Sequence, residues 1–245
     1  MTEIEFRSDV TVELVRSSAH DSDVLFAARV STQGEQTLES SLSNVDATTE
    51  SDKRDRGLIN YLMRDRHGSP FEHNSMTFYV QAPIFVFREF MRHRIASYNE
   101  ESGRYRELRP VFYVPAPDRN LIQVGKPGAY DFEPGTPEQV ALTAEATKAA
   151  VTFAYEQYER MLEAGVAREV ARGVLPVATY SSMYVTMNAR SLMNFLSLRT
   201  KREGTHFPSF PQREIEMVAE KMETLWADLM PLTYEAFNAN GRVAP

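Results

Sequence analysis

The chain contains no cysteine. Disulfides, thiolate metal sites and a cysteine nucleophile are therefore excluded. Nor does any apolar run approach the roughly 18 residues that a membrane-spanning helix needs. Positive charge is in deficit, with a formal net charge of −7. A non-specific nucleic-acid binder needs a basic footprint, so the balance argues against one. It does not exclude a local basic pocket for a small anion. The eleven glycines form no G-x-G-x-x-G, no Walker A run and no G-x-S-x-G. A dinucleotide, if bound, must be held in another way. The opening residues Met1–Glu5 are acidic and carry no signal-peptide pattern; the chain is expected to be soluble and cytoplasmic.

At 245 residues the chain is long enough to bury a sizeable core. Its pattern predicts an α+β fold, mostly helical with a small, mainly antiparallel sheet, in one domain spanning 1–245. Strands are expected over Thr11–Val15, Ser75–Gln81, Phe112–Val114 and Tyr180–Met187, where apolar and polar residues alternate or β-formers cluster. Asp21 or Ser22 is placed to cap a helix running toward Ser31, and a further helix is expected over Asp52–His67. Pro83 opens another, carrying Arg88 and Arg92 to near Arg94, with the following residues as loop. Thr136-Pro137 starts a long helix that Gly165 stops. A shorter helix is expected over Val166–Val174. Asn188 is the expected N-cap of a helix ending near Arg199, and helices follow over Arg213–Leu229 and Leu232–Phe237. Residues 32–51, 115–136 and 200–212 read as surface connections.

The densest chemistry lies in Arg92-His93-Arg94-Ile95-Ala96-Ser97-Tyr98-Asn99-Glu100-Glu101-Ser102-Gly103-Arg104-Tyr105. Arginine binds phosphate in bidentate fashion, serine and amides donate to phosphate oxygens, and glycine permits close backbone approach. On a helix, consecutive side chains diverge by about 100°, so Arg92, His93 and Arg94 cannot all serve one ligand atom. A solvated basic helix end is the plain alternative. Arg172 and Arg199 each end an apolar stripe and need a partner or a route to solvent; internal salt bridges would serve equally. Arg190 and Asn194 are i, i+4 neighbours at a helix start, and Asn188 also fits a simple cap. His67, Ser69, Glu72 and His73 flank a proline turn. Their spacing is too loose for a metal site, and hydrogen bonding is preferred there.

These residues resemble the signature of flavin-dependent thymidylate synthases, R-H-R followed after seven residues by Ser. The resemblance extends to ARVS at 28–31, RHGSPFEH at 66–73, the 83–105 block, REVARGVLP at 168–176 and NARSLMNFLSLR at 188–199. It implies conversion of deoxyuridylate (dUMP) to dTMP, with 5,10-methylenetetrahydrofolate giving the carbon and NADPH-reduced FAD the hydride. It also implies a homotetramer whose active sites form between subunits, so that neighbouring motif residues face different ligands. The missing cysteine then bears on mechanism. Methylation at carbon 5 of uracil needs electron density there, which cysteine-dependent synthases obtain by thiolate addition. By resemblance, Arg199 instead polarises the uracil ring.

The resemblance assigns the other roles by position. Glu89, Phe90, Met91, Arg92, Glu100, Glu101, Ser102, Gly103, Arg104, Arg172 and Arg199 would bind the nucleotide. Ser31, Ser69, Glu72, Arg92, His93, Arg94, Glu100, Asn188, Ala189, Arg190 and Asn194 would bind FAD. His67 would lie near the folate and nicotinamide entrance, and no metal is implied. The chain departs from the family pattern at Glu89, where some members have Gln, in a long 32–51 segment, and in TKREGTHFPSFPQ after Arg199. Two rivals stay open: a flavin-dependent methylase for another pyrimidine nucleotide, and an RNA binder using the arginines and tyrosines of 92–106.

Overall fold

The computed structural model describes residues 3–34 and 49–245. The fold is α+β. In chain order the elements are β1 (Glu5–Arg7), β2 (Thr11–Ser17), α1 (Asp21–Gln33), α2 (Thr49–Arg64), a 3-10 turn (Ser69–Glu72), β3 (Met76–Pro83), α3 (Ile84–Phe90), β4 (Ser97–Glu100), β5 (Val111–Tyr113), β6 (Ile122–Lys126), β7 (Ala129–Glu133), α4 (Pro137–Glu163), α5 (Arg168–Ala171), a second 3-10 turn (Arg172–Val174), β8 (Tyr180–Met187), α6 (Ala189–Arg199), α7 (Arg213–Leu229) and α8 (Pro231–Ala239). One sheet has the strand order β2-β3-β8-β4. Contacts between Thr77 and Thr186 and between the Tyr79 and Tyr184 rings fix an antiparallel register for β3 and β8. Strands β1 and β5 pair in parallel, and β6 and β7 form an antiparallel hairpin.

The chain divides into two compact units, and it enters each more than once. The first comprises residues 1–11, 80–92 and 99–183; the second comprises 12–79, 93–98 and 184–245. In the first, Val151, Tyr155 and Tyr158 on α4 pack with Phe112 and Ala171. Their i, i+4, i+7 spacing is one helix face. Helix α4 starts where Thr136 accepts from the Gln139 amide while the Gln139 side chain answers the Thr136 N–H, a reciprocal cap.

In the second unit, α7 buries Ile215, Val218, Ala219, Met222 and Trp226. The Trp226 ring meets Tyr234 and Phe237 edge-on at 5.6 and 5.8 Å. Each such fully buried large apolar side chain contributes roughly 1.5–3 kcal/mol. Asn188 caps α6 by accepting from the Ser191 amide at 2.9 Å.

Several sequence expectations need correction. Helix α3 ends at Phe90, so Arg92–Arg94 lie beyond the helix, and Ser97–Glu100 is a strand rather than loop. Pairing with neighbouring backbone overrides a locally polar sequence there. Residues 115–136 contain the β6–β7 hairpin, turned by Pro127-Gly128, where Gly128 has φ +83° as a type II turn requires. Residues 32–33 and 49–51 are helical, Gly34 ends α1, and residues 35–48 of the expected 32–51 loop lie outside the described residues. The expected 166–174 helix is a short helix followed by a 3-10 turn. Asp21 does not cap α1. Its carboxylate accepts from the Leu232 and Thr233 amides and the Thr233 hydroxyl at 2.6–2.9 Å, capping α8, which has no cap of its own. At α1, Asp23 instead receives the His20 N–H at 2.7 Å.

Candidate active site

The signature run is divided between the two units: Arg92 belongs to the first, His93–Tyr98 to the second, and Asn99 onward to the first again. Neighbouring residues thus join different local environments without needing a helix to splay them.

In the first unit, α3 buries Phe90 and leaves Arg88, Met91 and Arg92 exposed and Glu89 half-buried. Strand β4 leads into Glu101, whose N–H donates to the Ser182 carbonyl at 2.8 Å, while the Ser182 hydroxyl donates to its carboxylate at 3.1 Å. Arg106 adds an ion pair to Glu101 at 3.0 Å. Ser102 opens a tight turn, its hydroxyl oxygen accepting from the Arg104 amide at 3.3 Å. A Cβ on Gly103 would lie 3.0 Å from Leu108 and 3.2 Å from Arg172 Cδ, so the bare glycine lets the Arg172 stem close over this turn. Arg172 is exposed at its tip, and Arg104 is ion-paired with exposed Glu169 at 2.6 Å. Burial raises the Glu100 carboxyl above the ordinary carboxylate range, against the opposing charge of Arg172. The structure thus gathers Glu100, Glu101, Ser102, Gly103, Arg104 and Arg172 around one turn rich in phosphate-type donors.

In the second unit, the short 93–98 segment is pinned by the Tyr98 hydroxyl, which donates to the His93 carbonyl at 2.7 Å. Burial pushes the Tyr98 phenol up to about 12, so it remains a donor. The His93 ring lies edge-on against Phe195 at 4.9 Å. One turn further along α6, Arg199 Nε donates to His93 Nε2 at 3.1 Å. A guanidinium has no acceptor, so the contact makes Arg199 the donor and His93 Nε2 the acceptor. Phe195 and Arg199 are i, i+4, which puts ring and guanidinium on one helix face.

Arg190 is also fixed. Its Nη1 donates to Glu72 and its Nε to the Pro245 carbonyl, both at 2.5 Å. The guanidinium lies against Gly68, where a Cβ would come within 2.5–2.8 Å of three of its atoms. The Ala189 N–H donates to Asn74 Oδ1 at 2.8 Å, and the Asn194 amide donates back to the Arg190 carbonyl at 3.2 Å. Ser31, Ser69, His67 and Arg94 are exposed. His67 stacks on Tyr61 at 5.5 Å, held there because Arg66 takes a left-handed φ of 66° that ends α2. The structure thus brings Gly68, Glu72, Asn74, Ala189 and Arg190 together at the start of α6. Sequence reasoning missed the His93–Arg199 contact and the Glu72–Arg190 pair. The only available signal was the shared helix face of Phe195 and Arg199.

A cleft of about 410 Å³ lined by Lys53, Arg56, Asn60, Leu232 and Glu235 contains none of these residues. Among the described residues no three His, Asp or Glu side chains cluster as a metal site. No described helix is long and apolar enough to cross a membrane.

The model of the family described as "Thymidylate synthase complementing protein" matches residues 13–232. A flavin-dependent thymidylate synthase of Streptomyces coelicolor is 68% identical over 243 residues, covering 99% of this chain and 96% of the relative. Another from Tropheryma whipplei is 60% identical over 240 residues, covering 98% and 97%. Among solved structures, a UMP/dUMP methylase from Streptomyces cacaoi bound with 5-Br dUMP superposes with a TM-score of 0.90 at 57% identity, covering 99% of this chain and 100% of that one. On a family match across most of its length and on relatives of this identity, the chain belongs to the thymidylate synthase complementing protein family, that of the flavin-dependent thymidylate synthases.

Proposed function

We propose that this protein is a flavin-dependent thymidylate synthase that methylates dUMP to dTMP, taking its carbon from 5,10-methylenetetrahydrofolate and its reducing equivalents from NADPH through FAD. Bound flavin supplies the hydride; the chain's own residues do the rest. The observation that carries the reading is the contact between Arg199 and His93 in a chain without cysteine. Negative charge that develops on uracil during attack through carbon 5 needs a positive group already in place. His93 accepts from Arg199 Nε, so this contact orients the guanidinium.

The turn around Ser102 supports the nucleotide role. Arg172, Ser102 and the backbone beside Gly103 would grip the phosphate. Arg104 would join by leaving Glu169, since an exposed ion pair is worth only about 0–1 kcal/mol and a phosphate dianion outcompetes it. Glu89, Phe90, Met91, Arg92, Glu100 and Glu101 would complete that side. Ser31, Ser69, Glu72, His93, Arg94, Asn188, Ala189, Arg190 and Asn194 would hold FAD, and His67 would stand at the folate and nicotinamide side. The protein would work in the cytoplasm as a homotetramer with active sites between subunits. Residues 1–245 would act as one domain, because neither compact unit is a continuous stretch of chain.

The test is anaerobic. The purified protein should carry a flavin spectrum, and NADPH should bleach it faster when dUMP is present. A colourless protein that cannot be reconstituted with FAD would overturn the proposal. A second reading, methylation of UMP as well, is favoured by the similarity to the UMP/dUMP methylase. Competing the two nucleotides under the same conditions separates them: dTMP alone as product keeps the first reading, and 5-methyl-UMP supports the second.

A further inference from the structure

We infer that Arg242 is a positioning residue for Arg199, acting through Thr200 and the 200–212 loop. This rests on the reading of Arg199 as the activating residue. Arg199 is the last residue of α6, and helix ends fray because their carbonyls lack partners. Here the end is fastened. Thr200 is buried, its N–H and hydroxyl both donate to the Leu196 carbonyl at 3.1 and 2.7 Å, and its hydroxyl oxygen accepts from Arg242 Nη2 at 3.0 Å. The Ser209 hydroxyl donates to the Thr200 carbonyl.

Arg242 is itself an expensive residue to keep. Its side chain is 4% exposed and pairs at 2.6 Å with Glu223, which is 5% exposed. Removing both charges from water costs more than their attraction commonly returns. Its backbone sits at a left-handed φ of 57°, which a non-glycine residue rarely adopts, and its Nε is buried without a hydrogen-bond partner among the described residues. A buried charge, a strained backbone and an unmet donor on one residue are poor choices for stability alone. They share one geometric result: the fork points one Nη at Glu223 and the other at Thr200.

The loop is tied to the same centre. Arg202 donates to the second oxygen of Glu223 at 3.0 Å, the Lys201 N–H donates to Glu216 at 2.9 Å, and the His206 N–H donates to the Gly241 carbonyl at 2.9 Å. Glu223 therefore links Arg242 to the loop, and Thr200 links Arg242 to the last turn of α6. Loosening that turn would swing the long Arg199 side chain off His93.

The test uses Thr200→Val, which keeps shape and leaves the Arg242–Glu223 pair intact, beside Thr200→Ser, which keeps the hydroxyl. Arg242→Ala is avoided because it strips the buried Glu223 of one of its two arginine partners and so costs stability as well as position. In Thr200→Val, turnover of dUMP should fall about tenfold while the nucleotide KM and FAD content stay within about twofold. The His93 Nε2 nitrogen resonance should shift, reporting the weakened Arg199 contact, and Thr200→Ser should restore both readouts. Wild-type turnover in Thr200→Val, or a loss that simply follows lost flavin with an unmoved His93 resonance, would overturn the inference. Wild-type protein run alongside reports separately on the proposed function, since its failure to methylate dUMP would remove the reading beneath this one.

Discussion

Gly68→Ala isolates the proposed flavin role of Arg190 from its structural role. The glycine has φ −75° and ψ −35°, which alanine adopts without strain, so the backbone change alone would stabilise by about 0.4–1 kcal/mol through the unfolded state. The new Cβ would sit 2.5 Å from Arg190 Cζ, so the guanidinium must retreat about 1 Å to reach the 3.4 Å of ordinary contact. That retreat stretches the Glu72 ion pair and the Pro245 hydrogen bond. The pair is roughly two-fifths exposed on both sides and is worth up to about 1 kcal/mol, and the carbonyl bond about 1. Net destabilisation should be roughly 0–1.5 kcal/mol, a melting shift of at most about 6 °C for a chain of this size. Flavin binding should suffer more. A charge-assisted bond moved by about 1 Å forfeits roughly 1.5–3 kcal/mol, which is about 10- to 150-fold in Kd. FAD titration of the apoprotein by flavin fluorescence, with a thermal melt, reads both. An FAD Kd within about twofold of wild type, alongside a lowered melting point, would show that Arg190 tethers the tail and does not grip the cofactor.

Four further outcomes are expected. Arg199→Ala should retain FAD and lose most dUMP methylation; near-normal turnover would remove it from the activating role. His93 accepts from Arg199 Nε, so removing that acceptor should cost turnover. His93→Gln, which keeps an acceptor, should retain more turnover than His93→Ala, and equal losses would sink the coupling. Because burial raises the Glu100 carboxyl, the stability it contributes is present below the ordinary carboxylate range and lost as pH rises through the raised value. Glu100→Gln should therefore be the more stable form at neutral pH, with a gap that closes toward about pH 4 in denaturant titrations; a pH-independent gap refutes this. Arg66→Gly should relieve the left-handed backbone by roughly 1 kcal/mol, less the exposed bond to the Val243 carbonyl, and a lower melting point would contradict it.

What could be read from the sequence was what local physics decides. Thr136 and Asn188 announced their helices because a cap needs only residues within one turn, and Arg213–Leu229 declared itself through an unbroken apolar period. Strand β4 did not, since Ser-Tyr-Asn-Glu is polar and becomes a strand only beside β8. The β6–β7 hairpin was legible in part. Pro127-Gly128 is a turn signal between Ile122, Val124 and Tyr130, Phe132, but a surrounding wealth of Pro and Gly masked the alternation. Contacts across long sequence separations left no trace at all: Asp21 capping α8, Arg190 on Glu72, and Arg242 on Thr200 each join residues 42 to 212 positions apart. The individual site residues were visible by type; which of them touch was not.

The chemistry ties these levels together. A thiolate activates uracil by forming a bond, so its placement is enforced by covalency at the moment of reaction. A guanidinium acts only through its field, which falls with distance and with any movement, so placement must be finished before substrate arrives. For the proposed role of Arg199, that requirement fits a helix whose last turn is fastened and an Nε that meets a ring wedged against Phe195 and pinned through Tyr98. The His93 ring gives that guanidinium its direction. Loss of cysteine from this chemistry thus transfers the burden from one reactive atom to the packing behind one charged one.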